Sequence, residues 1–174
     1  QSFVDLSQGP MIVSVPAVDK DRYYILQLWD VNGDTFGHIG TRTTGRGAGN
    51  YALVGPNWKG KLPNGVKRVD SPYNNLAIWG RIGVKGPDDL KNAIAIQNKL
   101  HLTPLAMFGK SSSQVPPDMK FSEQRVAYEK PADLPDDLEF YYKLARTLKF
   151  TPPKPKQDAV IAGSLSSIGF KENN

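Results

Sequence analysis

The stretch Arg22-Tyr23-Tyr24-Ile25-Leu26-Gln27-Leu28-Trp29-Asp30 decides the fold. Tyr24, Leu26 and Leu28 alternate with Ile25, Gln27 and Trp29, and both sets are largely apolar. That is the pattern of a central strand covered on both sides. Upstream, Met11–Val15 is apolar and β-branched and is ended by Pro16; Val18-Asp19-Lys20-Asp21 reads as a polar turn. Downstream, Thr35–Ile39, Asn50–Val54, Trp58–Leu62, Val66–Asp70 and Leu76–Val84 read as further strands. Pro63-Asn64-Gly65 between two of them reads as a hairpin turn, because Asn and Gly tolerate positive φ. Strands recur roughly every 8–12 residues between Gly, Pro, Asn and Asp, the spacing of a β-sandwich or barrel.

After residue 86 the period changes. Gly86-Pro87-Asp88-Asp89 signals a helix start, with Pro and two acids at the positive end of the dipole. Leu90, Ala93, Ile94, Gln97 and Leu100 fall on one helical face, and His101 is expected to end the helix before Thr103-Pro104. A loop over Gly109–Lys120 and a last strand over Phe121–Tyr128 follow. A second helix carries Leu138, Tyr141, Tyr142, Ala145 and Leu148 on its apolar face, with Lys143, Arg146 and Lys149 toward its C-terminal end. Thr151-Pro152-Pro153-Lys154-Pro155 reads as a stiff linker, and a third helix over Lys156–Ser167 ends at Gly169. The expected organisation is mainly β with appended α-helices. Residues 1–130 form a β-sandwich that includes an inserted helix near 88–101, and residues 131–174 form a helical extension of the same domain.

Composition narrows the chemistry. The 174 residues hold no Cys, so disulfides, thiolate nucleophiles and Cys metal sites are excluded. Only His38 and His101 are imidazoles. No apolar stretch approaches the ~20 residues of a membrane-spanning helix. Lys and Arg number 22 against 17 acids, a net charge of +5. Residues 1–87 hold ten bases and six acids, and every one of those acids is Asp. Asp favours turns where Glu favours helices, which matches a turn-rich first part. The bases are scattered and no nucleic-acid motif is present, so no nucleic-acid partner is expected.

Several local patterns invite a function. Gly45-Arg46-Gly47-Ala48-Gly49 suggests a phosphate loop, but Tyr51-Ala52-Leu53-Val54 follows where a helix is required, and no Gly-Lys-Ser/Thr occurs. Asp30, Asn32 and Asp34 have the alternate spacing of a calcium loop, yet Thr35 and Thr41 stand where that loop needs Gly and Glu. Asp30, Asp34 and His38 are therefore weak metal candidates, and His38 is a candidate base. Arg42, Thr43, Thr44 and Arg46 form a cationic, hydroxyl-bearing loop suited to a carboxylate or sulfate-like anion. With Asp30 they make up the candidate ligand-binding set. No catalytic motif is found: Gly163-Ser164 lacks the nucleophile elbow, His-Glu-x-x-His is absent, and Asp88-Asp89 and Asp136-Asp137 read as helix caps. No cofactor is called for.

The order of several segments is familiar. Phe3-Val4-Asp5-Leu6-Ser7-Gln8-Gly9-Pro10, Val13-Ser14-Val15-Pro16 and Arg22–Asp30 are followed by Gly40-Thr41-Arg42-Thr43-Thr44-Gly45. Val54-Gly55-Pro56-Asn57-Trp58-Lys59-Gly60, Gly80-Arg81 and Gly86-Pro87-Asp88 come next. Together they resemble the bacterial "domain of unknown function 1254" family. The resemblance implies a jelly-roll-like antiparallel β-sandwich with two to three appended helices, a periplasmic or extracellular location and frequent oligomerisation. It also implies a companion "domain of unknown function 1214" module and a segment ahead of Phe3, so the chain is expected to be a fragment. Asp30, Arg42, Thr43 and Thr44 match the family pattern; Asp34 and His38 do not clearly do so.

Three functions remain open at this level. The first is a ligand-binding or assembly module that meets a small polar or anionic ligand, forms a homo-oligomer or contacts the remainder of its own chain. The second is a hydrolase-type enzyme using Asp30 as base or metal ligand and Arg42 to hold an anionic transition state. The third is a structural subunit of a surface assembly or filament.

Overall fold

The computed structural model describes residues 1–110, 130–150 and 158–169. The chain divides into two units, Gln1–Met119 and Lys120–Asn174. The first unit is a sandwich of two four-stranded sheets. One holds β1 (Ser2–Asp5), β7 (Asn75–Ile82), β3 (Tyr24–Asp30) and β4 (Thr35–Gly40), in that order across the sheet. The other holds β6 (Val66–Asp70), β5 (Gly49–Val54), β2 (Met11–Val15) and β8 (His101–Pro104). All pairings are antiparallel except β5 with β6.

The main core lies between the sheets. Val4 and Leu6, Val13 and Val15, Tyr24, Leu26 and Leu28, Ile39, Tyr51 and Leu53, and Leu76 and Ile78 all turn into it. Leu28, Ile39 and Leu53 are fully enclosed. The second sheet also buries its other face, where Trp58, Leu62, Leu105 and Phe108 cover Ile12, Ala52 and Val54. Two-sided burial therefore belongs to β2 and β5, not to β3. In β3 the Tyr24, Leu26 and Leu28 set is buried, while Ile25, Gln27 and Trp29 are half-buried on the outer face.

Three further expectations are corrected. Trp58–Leu62 is not a strand, so Pro63-Asn64-Gly65 joins no hairpin. Residues 55–65 instead cross the outer face of the second sheet, because parallel neighbours need a long crossover. The turn itself forms, with Val66 N–H on the Pro63 carbonyl at 3.2 Å and Gly65 at φ +81°. The inserted helix is short: a 3₁₀ turn, Pro87–Asp89, leads into α1 (Leu90–Gln97). His101 does not end a helix but enters β8, opposite Ser14. In α1, Ala93 and Ile96 face the core, with Leu100 just beyond, whereas Leu90 and Ile94 stay exposed.

In the second unit, α2 (Glu139–Phe150) and α3 (Ala159–Ser167) form, the latter ending at Gly169 with φ +98°. No described side chain of this unit is buried. The strand expected over Phe121–Tyr128 and the linker Thr151–Pro155 lie outside the described residues. No helix among the described residues is long and apolar enough to cross a membrane.

Candidate functional site

Asp30 closes the turn from β3 to β4. It is buried, and its Oδ1 accepts the backbone N–H groups of Asn32 at 2.9 Å and Asp34 at 3.1 Å. The main chain joins in: Asp30 N–H donates to the Asp34 carbonyl and Gly33 N–H, at φ +83°, donates to that of Asp30. Asn32 reaches out from the same turn to the Tyr73 hydroxyl at 3.0 Å. A carboxylate that caps its own loop this way is an Asx turn, the local chemistry for which Asp is suited.

At the other end of β3, Gly40–Arg46 forms a second self-bonded turn. The Gly40 carbonyl accepts the N–H groups of Thr43, Thr44 and Gly45 at 2.9–3.1 Å. The Thr44 hydroxyl receives Gly40 N–H at 3.0 Å, and the Thr43 hydroxyl donates to the His38 carbonyl at 2.9 Å. Thr41 locks the turn onto β3, accepting Tyr24 N–H at 3.0 Å. Gly40 is required here, since a Cβ would stand 2.5 Å from the Tyr24 carbonyl oxygen. Arg46 Nε reaches the Arg22 carbonyl at 3.4 Å. Arg42 turns outward, its guanidinium 5.7 Å from the Tyr23 ring centre.

Beside this turn stands a pair that no local motif announced. Arg22 is buried and forms a two-pronged contact with Asp89, at 2.8 and 2.7 Å, while Nη1 also donates to the Gly83 carbonyl at 2.6 Å. Asp89 further accepts Lys85 N–H and the Asn92 amide. The Arg22 hydrogen bond, joined by those of Lys85 and Asn92, holds the Asp89 carboxyl well below the usual carboxylate range. The same bond raises the Arg22 guanidinium. Asp89 thus ties the start of α1 to the foot of β3 instead of capping its helix. Nearby, burial pushes the Tyr24 phenol up.

The outer face of the first sheet carries a stacked ladder. Trp29 and Trp79 lie nearly parallel, 5.1 Å apart, as diagonal neighbours on β3 and β7. Arg81 lies 6.0 Å from the Trp79 ring centre, and Gln27 accepts from Arg81 while donating to Thr35. His38 is exposed opposite Gln27.

These placements separate the candidate residues. Arg42, Thr43, Thr44 and Arg46 share one turn, but Asp30 lies at the far end of β3, about 20 Å away at roughly 3.3 Å per residue. The hydrolase reading needed Asp30 and Arg42 at one ligand atom, and the strand between them prevents that. Asp34 meets Asp30 through its backbone; His38 is on β4. Among the described residues no three His, Asp or Glu side chains gather as a metal site.

The molecule is thus a β-sandwich whose turns at the two ends of β3 are bonded mainly to themselves, followed in sequence by a helical unit. Residues 1–104 match the family described as "Protein of unknown function (DUF1254)", and the chain belongs to that family. No curated relative matches. The fold is similar to the crystal structure of the VPA0106 protein from Vibrio parahaemolyticus, with a TM-score of 0.75 and 23% identity over 99% of this chain. The chain spans 41% of that protein's chain.

Proposed function

We propose that the chain is an assembly module of the cell envelope, and that its helical unit takes another polypeptide, in the first instance a second copy. The observation that carries this is the exposure of the unit's large apolar side chains. Phe140 is 67% exposed, Val160 83% and Ile161 58%, with Leu138, Tyr141, Tyr142 and Ile168 also open. A helix of 12 residues and one of 9 are too short to be stable without tertiary burial. Apolar exposure on this scale marks an interaction surface. The envelope assignment rests on the family resemblance.

Sedimentation equilibrium of the whole chain across about 1–200 μM tests it. Reversible association is expected, and it is lost in a Phe140→Glu, Val160→Glu, Ile161→Glu variant. A chain that stays monomeric throughout, or a variant that associates as before, overturns the self-assembly reading.

A second reading is favoured by Arg42, which is exposed over Tyr23 beside the Gly40–Arg46 turn and suits a small anionic ligand. Sulfate or a dicarboxylate would then shift the chain's melting temperature, and Arg42→Gln would remove the shift.

A further inference from the structure

Among the described residues the β6 strand pairs with β5 alone, which leaves one edge of its sheet open. Ser71 N–H donates to the Val54 carbonyl at 2.8 Å. That phase points the amides of Lys67 and Val69 toward β5 and turns those of Arg68 and Asp70 to the open side. Charge is concentrated at this edge. Residues 56–70 hold Lys59, Lys61, Lys67 and Arg68 against the single acid Asp70. The sequence hides the cluster, because the crossover loop brings two of the four to the strand. Arg68 lies 5.5 Å from the Trp58 ring centre and donates to the Trp58 carbonyl at 3.4 Å, which anchors the loop bearing Lys59 and Lys61 beside β6. Lys67 lies on the opposite face of the strand, over Tyr51 at 5.6 Å. Arg68 already pairs with Asp70 at 2.7 Å, yet all four bases are exposed.

An open edge with cations on both faces repels the same edge of a second copy and favours a strand of opposite charge. We propose that the β6 edge receives an extended, acidic peptide segment of a partner protein. The segment adds as a fifth strand, with alternate carboxylates toward Arg68 on one face and Lys67 on the other. Backbone bonding to Arg68 and Asp70 sets its register, and Lys59 and Lys61 extend the field. This surface uses none of the residues in the self-assembly test, so the two tests fail independently.

The experiment titrates the whole chain into a fluorescent ten-residue peptide of Glu, Asp, Val and Thr, with a Gln/Asn version as control, and follows anisotropy. The acidic peptide should bind at least tenfold more tightly than its neutral counterpart, and added salt should weaken it. Lys67→Glu with Arg68→Glu should lose at least tenfold. Asp70→Pro separates strand addition from charge attraction alone: it removes an edge N–H and also a repelling carboxylate. Strand addition predicts at least a tenfold loss, whereas plain electrostatics predicts unchanged or tighter binding. Should Asp70→Pro fail to fold, acidic peptides N-methylated at alternate residues, in the two registers, replace it, and one of the two must lose binding. No binding, equal binding of the neutral peptide, a fully active Asp70→Pro, two fully active methylated peptides, or binding to anionic vesicles in place of the peptide each overturns the proposal.

Discussion

The sandwich and the helical unit treat their side chains in opposite ways. In residues 1–110 the strands bury Leu28, Ile39 and Leu53 completely, and even the loops bond to themselves through Asp30, Thr43 and Thr44. In the described part of the helical unit nothing is buried, and Phe140 and Tyr141 meet edge to face at the surface. Local pattern is enough to form a helix on paper, but it does not supply a surface to bury it against. The sandwich contains its own core, and the partner proposed above would supply the burial that the described helices lack.

The contrast is sharpest in the core. Leu28→Ala should destabilise the chain by about 2–5 kcal/mol in urea unfolding, the cost of a cavity where no solvent reaches. Phe140→Ala should change the same midpoint by less than about 0.5 kcal/mol in dilute solution, because an exposed ring loses little. Equal effects would break the distinction.

The next largest effect belongs to the Arg22–Asp89 pair. Asp89→Ala takes the two-pronged partner from a buried guanidinium, leaving it the Gly83 carbonyl and a 3.7 Å contact with Asp19, and the melting temperature should fall by roughly 5–10 °C. The sign of the pH dependence follows from the depressed Asp89 pKa. Its stabilisation is present above the ordinary carboxylate value near 4 and declines as pH drops below that toward the folded value. Thermal melts from pH 7 down to pH 2 should therefore show a loss below about pH 4 that is smaller in Asp89→Asn. An identical pH profile in the variant would show that other carboxylates carry the effect.

A smaller loss than that of the ion pair tests the Asp30 turn. Asp30→Ala should cost about 1–3 kcal/mol by stranding the Asn32 and Asp34 amides. Asp30→Asn keeps an acceptor oxygen and should cost less. A loss as large in Asn as in Ala would show that the negative charge matters beyond the turn.

How far the sequence reads the molecule depends on the range of the interaction. Met11–Val15 is a strand to the residue, and β4 and β5 lie within a residue of expectation, because alternation and turn formers are local signals. The parallel β5–β6 pair was not legible. Asn64-Gly65 announces a turn but says nothing about which strands flank it. The covered strands were misassigned for a similar reason. Phe108, which helps close the second face over Ile12 and Val54, is distant from both in sequence. Arg22 and Asp89, 67 residues apart, carry no joint motif; the only hint was a charge at the foot of an apolar strand. Among the candidate site residues, the grouping of Arg42, Thr43, Thr44 and Arg46 in one turn was legible from adjacency. Their distance from Asp30 required knowing that β3 separates them.

Hydrogen exchange of the whole chain, read at a dilute and at a high protein concentration, tests the central claim most directly. The account predicts slow exchange in β3 and β5 at both concentrations, fast exchange in α2 and α3 when dilute, and slowing confined to α2 and α3 as concentration rises. Helices as protected as β3 in the dilute chain, or unchanged where the chain has associated, would contradict it.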